Sequence, residues 1–338
     1  MVTPTAPRRT LRPVRVAGLG SYVPPRLLTN ADLEEMVETS NEWILQRTGI
    51  RERHIVDPGV ATSDLAKPAA LAALAEAGLT PADIGFIVVG TTTPDTIFPS
   101  TACVLQAKIG AANCWGFDLG AACSGFTYAL TVGYEMVGSG AVEHALVVGA
   151  DVMSSIIDYT DRATCVLFGD GAGAVVLSPA AEGDPCIIDF AHEIDGSGGP
   201  ALCMPAGGSR LPASHATVDQ RLHYVKQDGG AVFKFAVKKT EETALRLLER
   251  NGLTTADLDL FVSHQANRRI IEAAAERLHL DAAKYVLNLE HHGNTTAATI
   301  PLALADARAE GRLRKGSLVL IASVGAGFTV GSVLLRWG

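Results

Sequence analysis

The sequence predicts an α/β protein built as two duplicated halves, residues 1–183 and 184–338, stacked face to face into five layers of helix and sheet. One observation is internal similarity between residues 77–89 (Ala-Gly-Leu-Thr-Pro-Ala-Asp-Ile-Gly-Phe-Ile-Val-Val) and residues 251–263 (Asn-Gly-Leu-Thr-Thr-Ala-Asp-Leu-Asp-Leu-Phe-Val-Ser), a repeat that implies a duplicated unit. A second is the grammar inside each copy: an apolar helix stops at Gly, a Thr-x-x-Asp turn follows, and a β-branched apolar run reads as a buried strand. The third is composition, 48% hydrophobic but only 6% aromatic and rich in Ala and Gly, which suits helices packed closely on sheets.

Taken along the chain, the first half continues with a helix over 101–108, a strand over 115–119, a helix over 123–137 and a strand over 145–148. The second half continues with a helix over 232–249, a strand over 258–262, helices over 268–278 and 296–309, and closing strands over 318–322 and 329–335. Such alternation predicts a mainly parallel, covered sheet in each half. Residues 195–214, crowded with Gly, Pro, Ser and Ala, read as a surface loop. Residues 91–99 follow a strand end directly, where ligand-handling loops of α/β sheets lie.

Bulk properties narrow the function. The net charge is −8, which argues against nucleic acid as a partner, because phosphate binding needs a dominant basic surface. An acidic protein partner would need a local basic patch. Four arginines, Arg8, Arg9, Arg12 and Arg15, precede no apolar core of a secretion signal, and the apolar stretch 119–134 is too short to span a bilayer. Six cysteines form no C-x-x-C pair, so reduced thiols and a cytoplasmic location are expected.

Three residues stand out for chemistry. Cys123 follows the 115–119 strand and Gly120-Ala121-Ala122, then opens a long apolar helix. Amide dipoles at a helix N-terminus lower a cysteine pKa to roughly 3.5–7.5, although an isolated cysteine is as readily a small buried hydrophobe. His264 sits just past the second-copy strand, where the first copy has Gly90, so an imidazole occupies a position without a side chain in the other half; it could also simply satisfy a carbonyl. Asn294 precedes an Ala-rich helix, and alone it could be a turn or cap residue. The adjacent His291 and His292 do not face one ion and no Cys/His spacing completes a site, so no metal is expected. Residues 168–174 and 325–328 are glycine-rich without a dinucleotide or phosphate-loop pattern. They read as tight turns whose N–H groups can approach a thioester oxygen.

Asp118-Leu119-Gly120-Ala121-Ala122-Cys123-Ser124-Gly125-Phe126, Ser263-His264-Gln265-Ala266-Asn267, Gly293-Asn294-Thr295 and Gly325-Ala326-Gly327-Phe328-Thr329 together resemble the β-ketoacyl-acyl carrier protein synthase III family. Residues 41–54 and Asp161-Arg162 extend the resemblance, which covers nearly the whole chain from Val14. It implies a thiolase-like αβαβα fold, a homodimer, and the start of type II fatty acid biosynthesis: an acyl-CoA primer, commonly acetyl-CoA, condenses with malonyl-acyl carrier protein. By motif, Cys123 carries the acyl group, His264 and Asn294 donate to the malonyl thioester oxygen, and the backbone N–H groups of Cys123 and Ala326 hold the oxyanion. Trp43 and Arg162 match residues that sandwich the CoA adenine. Arg47 and Asn267 match others along the pantetheine path. Phe98, Met153 and Phe168 match the acyl pocket, Phe98 reaching from one subunit into the other. Lys234, Arg268, Arg269 and Arg277 match a face that docks the carrier protein, although Glu276 stands where the family is often basic. No permanently bound cofactor is implied; acyl-CoA is a substrate.

Rival readings share the nucleophile. A papain-like hydrolase has the same Cys, His, Asn order, but Cys123 lacks that family's local signature. Thiolase itself needs a second cysteine where this chain has Ser323. A relative from specialised metabolism, transferring the acyl group elsewhere or making a different ketide, keeps all three residues.

Overall fold

The computed structural model describes residues 11–338, so Arg8 and Arg9 lie outside the described residues. Nine principal strands form two sheets. β1 (Val14–Tyr22), β2 (Phe86–Gly90), β3 (Trp115–Leu119), β4 (Ala145–Asp151) and β5 (Gly171–Pro179) make the first; β6 (Ile187–Ile194), β7 (Leu260–Ser263), β8 (Leu318–Gly325) and β9 (Thr329–Arg336) make the second. The main helices are α1 (Asn41–Thr48), α2 (Thr62–Ala77), α3 (Thr101–Ile109), α4 (Gly125–Gly138), α5 (Gly229–Arg250), α6 (Arg268–Arg277) and α7 (Thr299–Ala309).

The first sheet runs in the order β1-β5-β4-β2-β3 and the second β7-β8-β9-β6. α2 and α3 cover the outer face of the first sheet, α5 and α6 that of the second, and α4 and α7 lie between the sheets, which makes five layers. The fold is thiolase-like. Neither sheet is mainly parallel as predicted: β2 pairs parallel with β3 and β4, and β7 with β8, but β5 and β9 run antiparallel to their neighbours on both sides. The reason is the connection, since β8 and β9 are joined by a tight turn at 326–328, which forces a hairpin.

The repeat is visible atom by atom. Gly78 and Gly252 end their segments at φ 68° and 67°, the left-handed conformation that glycine adopts without steric cost. In each copy the threonine N–H and hydroxyl then donate to one carboxylate oxygen, Thr80 to Asp83 at 2.8 and 2.7 Å and Thr254 to Asp257 at 2.7 and 2.8 Å. A turn of 3₁₀ helix and a fully buried strand follow in both.

Glycines bring the central helices onto the sheet ends. A Cβ at Gly90 would lie 2.5 Å from the Gly125 carbonyl carbon, and one at Gly149 would lie 2.3 Å from the Ala297 oxygen. The N-terminal ends of α4 and α7 therefore abut the C-terminal ends of β2 and β4, side by side. This juxtaposition builds the site.

Candidate active site

Cys123 sits in one turn of 3₁₀ helix (Ala122–Ser124) ahead of α4, and Ala122 before it is held at φ 48°. This strand-turn-helix elbow is sharper than the uninterrupted helix expected from 123. His264 follows β7, its backbone N–H donating to Ala322 O at 2.8 Å. Asn294 is anchored by the other half of the molecule: its N–H donates to Leu167 O at 2.8 Å and its carbonyl accepts from Gly169 N–H at 3.1 Å. All three residues are buried and line one cavity of about 520 Å³.

The polar groups are oriented by their neighbours. Asn294 Oδ1 accepts from Thr296 N–H at 2.9 Å, which leaves the carboxamide NH₂ as the group available to a ligand. His264 Nδ1 lies 2.7 Å from Thr299 Oγ1, so Nε2 is the nitrogen left over. Burial pulls the imidazole pKa down to about 3, and the ring is neutral at pH 7. Gly325 lies against the nucleophile, where a Cβ would come within 2.8 Å of both Cys123 N and Ala121 O; only bare backbone lets this turn reach the sulfur's amide. Ala326 follows on the same turn, half-buried.

The surroundings of the Cys123 thiol oppose the expected dipole effect. Burial pushes the Cys123 thiol up to about 12, the Asp151 carboxylate adds to the rise, and the residue's own backbone N–H opposes it. Desolvation disfavours the thiolate and so acts against the amide dipoles.

At the cavity mouth, the Arg162 guanidinium stacks over the Trp43 ring at 4.7 Å and donates to Glu38 O at 2.9 Å. Trp43, Arg47, Asn267, Lys234 and Arg269 line the cavity. The Asn267 amide is already engaged, donating to Arg47 O at 3.0 Å and capping α6 through Arg269 N–H at 2.9 Å. Arg268 is paired with Glu290 and Arg277 with Glu241; of these four basic residues, Lys234 and Arg269 are the exposed ones with no carboxylate partner among the described residues. Phe168 lines the cavity; Met153 is buried in the cluster behind it, and Phe98 projects away into solvent, 84% exposed. Ser323 bonds Thr127 at 2.7 Å in the interface between the halves, outside the cavity, so it cannot serve as a second catalytic group.

The profile described as 3-Oxoacyl-[acyl-carrier-protein (ACP)] synthase III matches residues 117–196, and that described as its C-terminal part matches residues 248–337. A beta-ketoacyl-[acyl-carrier-protein] synthase III of Koribacter versatilis is 57% identical over 97% of this chain and 99% of its own length. The chain belongs to the 3-oxoacyl-[acyl-carrier-protein] synthase III family. Another synthase III, of Solibacter usitatus, is 57% identical over 96% of this chain and 98% of its own. Among solved structures, the synthase III of Aquifex aeolicus superposes with a TM-score of 0.88 at 41% identity, over 96% of this chain and 100% of that one. The priming β-ketosynthase of the R1128 polyketide pathway superposes at 0.90 with 36% identity over 99% of both chains.

Two residues near the cavity carried no legible sequence signal. Thr299, in contact with His264, and Asp151, which accepts from Thr296 and Ala297, read as an ordinary helical threonine and a strand-end acid. The helix predicted from Val232 begins at Gly229, because Asp228 caps it by accepting from Gly230 and Ala231 N–H, both at 3.0 Å. The Asp228-Gly229-Gly230 run looks like a turn, yet its two glycines form part of the cavity wall.

Proposed function

We propose that this chain condenses an acyl-CoA primer, acetyl-CoA first among the candidates, with malonyl-acyl carrier protein, releasing CO₂ and CoA and initiating type II fatty acid synthesis. The observation that carries this reading is the convergence of Cys123, His264 and Asn294 on one cavity in a chain so similar to synthases of this name over its whole length.

In the first half-reaction Cys123 Sγ forms a bond to the primer's carbonyl carbon while its proton passes to His264 Nε2. The C–S bond to CoA then breaks, and the CoA sulfur leaves with that proton. Backbone N–H groups of Cys123 and Ala326 stabilise the oxyanion, a contribution of about 2.7–4 kcal/mol per donor. In the second, loss of CO₂ from the malonyl thioester leaves an enolate. Asn294 NH₂ donates to its oxygen, as does His264 once Nε2 has taken up a proton from solvent. The enolate carbon bonds to the acyl carbon, the acyl–sulfur bond breaks, and the departing Cys123 sulfur receives that proton from His264 Nε2, which returns both groups to their resting forms. The reaction as written needs no resident cofactor or metal.

The adenine would insert between Trp43 and Arg162, and pantetheine would pass Arg47 and Asn267. Lys234 and Arg269, flanked by the paired Arg268 and Arg277, would meet the acidic carrier protein. The edge strand β3, which leaves Trp115 53% and Phe117 37% exposed, supports a homodimer; a second copy would cover these rings, and the exposed Phe98 of each copy would reach Met153 and Phe168 of the other. No helix among the described residues is long and apolar enough to cross a membrane, in keeping with a cytoplasmic enzyme. The likeness to a polyketide priming synthase keeps a second reading in play, which a panel of acyl-CoA primers separates by chain length and branching.

Intact-mass measurement after incubation with acetyl-CoA tests the reading. Wild type gains one acetyl group and Cys123→Ala gains none, while the variant still releases some CO₂ from malonyl-acyl carrier protein. Equal acetylation of both proteins would refute the assignment.

A further inference from the structure

We propose that Thr299 is a positioning residue that fixes His264 in the tautomer protonated at Nδ1, so that Nε2 faces the cavity as a proton acceptor. One hydroxyl proton shared between two neighbours decides the tautomer. Thr299 Oγ1 lies 2.7 Å from His264 Nδ1 and 2.9 Å from Thr296 O. The carbonyl can only accept. If the hydroxyl donates to it, the Thr299 oxygen accepts from Nδ1–H and both contacts are hydrogen bonds. If the hydroxyl turns to Nδ1, two oxygen lone pairs face each other across 2.9 Å in a buried site, and a contact is lost where it is most costly to lose.

Thr296 is itself held in place. It sits at φ 49°, its hydroxyl donates to Asp151 Oδ2, and the next N–H, of Ala297, donates to the same oxygen at 3.2 Å. Its carbonyl thus presents a fixed acceptor to Thr299, and the order Asp151, Thr296, Thr299, His264 runs from the first half to the catalytic ring.

The consequence deepens the proposed function, on which it rests. With Asn294 fixed as a donor and neutral His264 fixed as an acceptor, the pair is complementary rather than equivalent. His264 takes the Cys123 proton in its resting form and donates from Nε2 only after protonation.

Enzyme labelled with ¹⁵N-histidine tests this directly, the His264 signals being assigned by their loss in His264→Ala. The expected wild-type spectrum shows hydrogen on Nδ1 and a bare Nε2. Thr299→Val, nearly isosteric, loses that preference and slows acetyl transfer to Cys123 by about tenfold, with acetyl-CoA KM changed less than about twofold. Thr299→Ser keeps the tautomer and loads acetyl within about threefold of wild type. A wild-type spectrum with hydrogen on Nε2, or an unchanged tautomer in a folded Thr299→Val, overturns the proposal. Neither result touches the reading of Cys123 as the acyl carrier, which the mass measurement decides.

Discussion

Phe168 and Asn294 form a parallel β-bridge between the two halves of the molecule. The bridge fixes the Asn294 backbone, and the Thr296 N–H fixes its carboxamide. Asn294→Asp should keep both constraints while replacing the free NH₂ with an oxygen. Acetyl loading on Cys123 should stay near wild type, and CO₂ release from malonyl-acyl carrier protein should fall by about 10²–10³. A variant that decarboxylates normally would remove Asn294 from the second half-reaction.

The nucleophile elbow depends on a close backbone approach. With only 2.5 Å between a Gly90 Cβ and the Gly125 carbonyl carbon, Gly90→Ala should push α4 away from β2. A cost of about 1–3 kcal/mol is expected from overpacking, seen as a lower melting temperature, together with slower acetyl loading because Cys123 moves with the helix. Full stability and full loading would show that the elbow tolerates displacement.

What the sequence revealed, and what it hid, follows from how local each signal is. The repeat was legible because helix stop, capping turn and strand occupy contiguous residues; Cys123, His264 and Asn294, which line one cavity, could be singled out because each lies in a distinctive short motif. β5 was not recognised, since Gly171-Ala172-Gly173-Ala174 lacks the β-branched character of a strand. Its glycines are there for packing: a Cβ at Gly173 would lie 2.4 Å from Pro301 Cβ. The thiol's surroundings were only half legible, because motif position shows the helix end but neither the depth of burial nor Asp151, which arrives from another strand. Thr299 was hidden for the same reason, being a partner only in space.

The exposed edge of β3 supports a third expectation. Trp115→Lys places a charge among Phe86 and Phe117, whose rings lie 4.7 and 6.3 Å from Trp115, and at the face assigned to the second copy. Light scattering should report a shift from dimer toward monomer. Turnover should fall with it, since the acyl pocket then lacks the partner copy's aromatic. An unchanged mass in solution would place the dimer contact elsewhere.

Buried histidines make stability depend on pH. His192 lies between Phe190 and Tyr128, with ring centroids 5.6 and 4.6 Å away, and its Nε2 contacts Thr131 Oγ1 at 2.7 Å. Burial pulls it down to about 4, opposed by a backbone bond at Val330, while His264 falls to about 3. In the unfolded chain both titrate near 6.5, so below that pH the unfolded state binds protons that the folded state refuses. Stability is therefore greatest above about pH 7 and declines as pH falls, by up to about 1.4 kcal/mol per pH unit for each such ring. Asp170, raised by burial, acts in the opposite sense, so the difference between wild type and a variant lacking one imidazole, read from pH 6.5 to 5, isolates that ring. Urea unfolding across that interval should give a falling midpoint, with a shallower fall in His192→Gln, whose side chain takes up no proton. A wild-type midpoint that holds level or rises toward pH 5 would mean that the buried rings are protonated in the folded protein, and with that His264 would lose its standing as a neutral base.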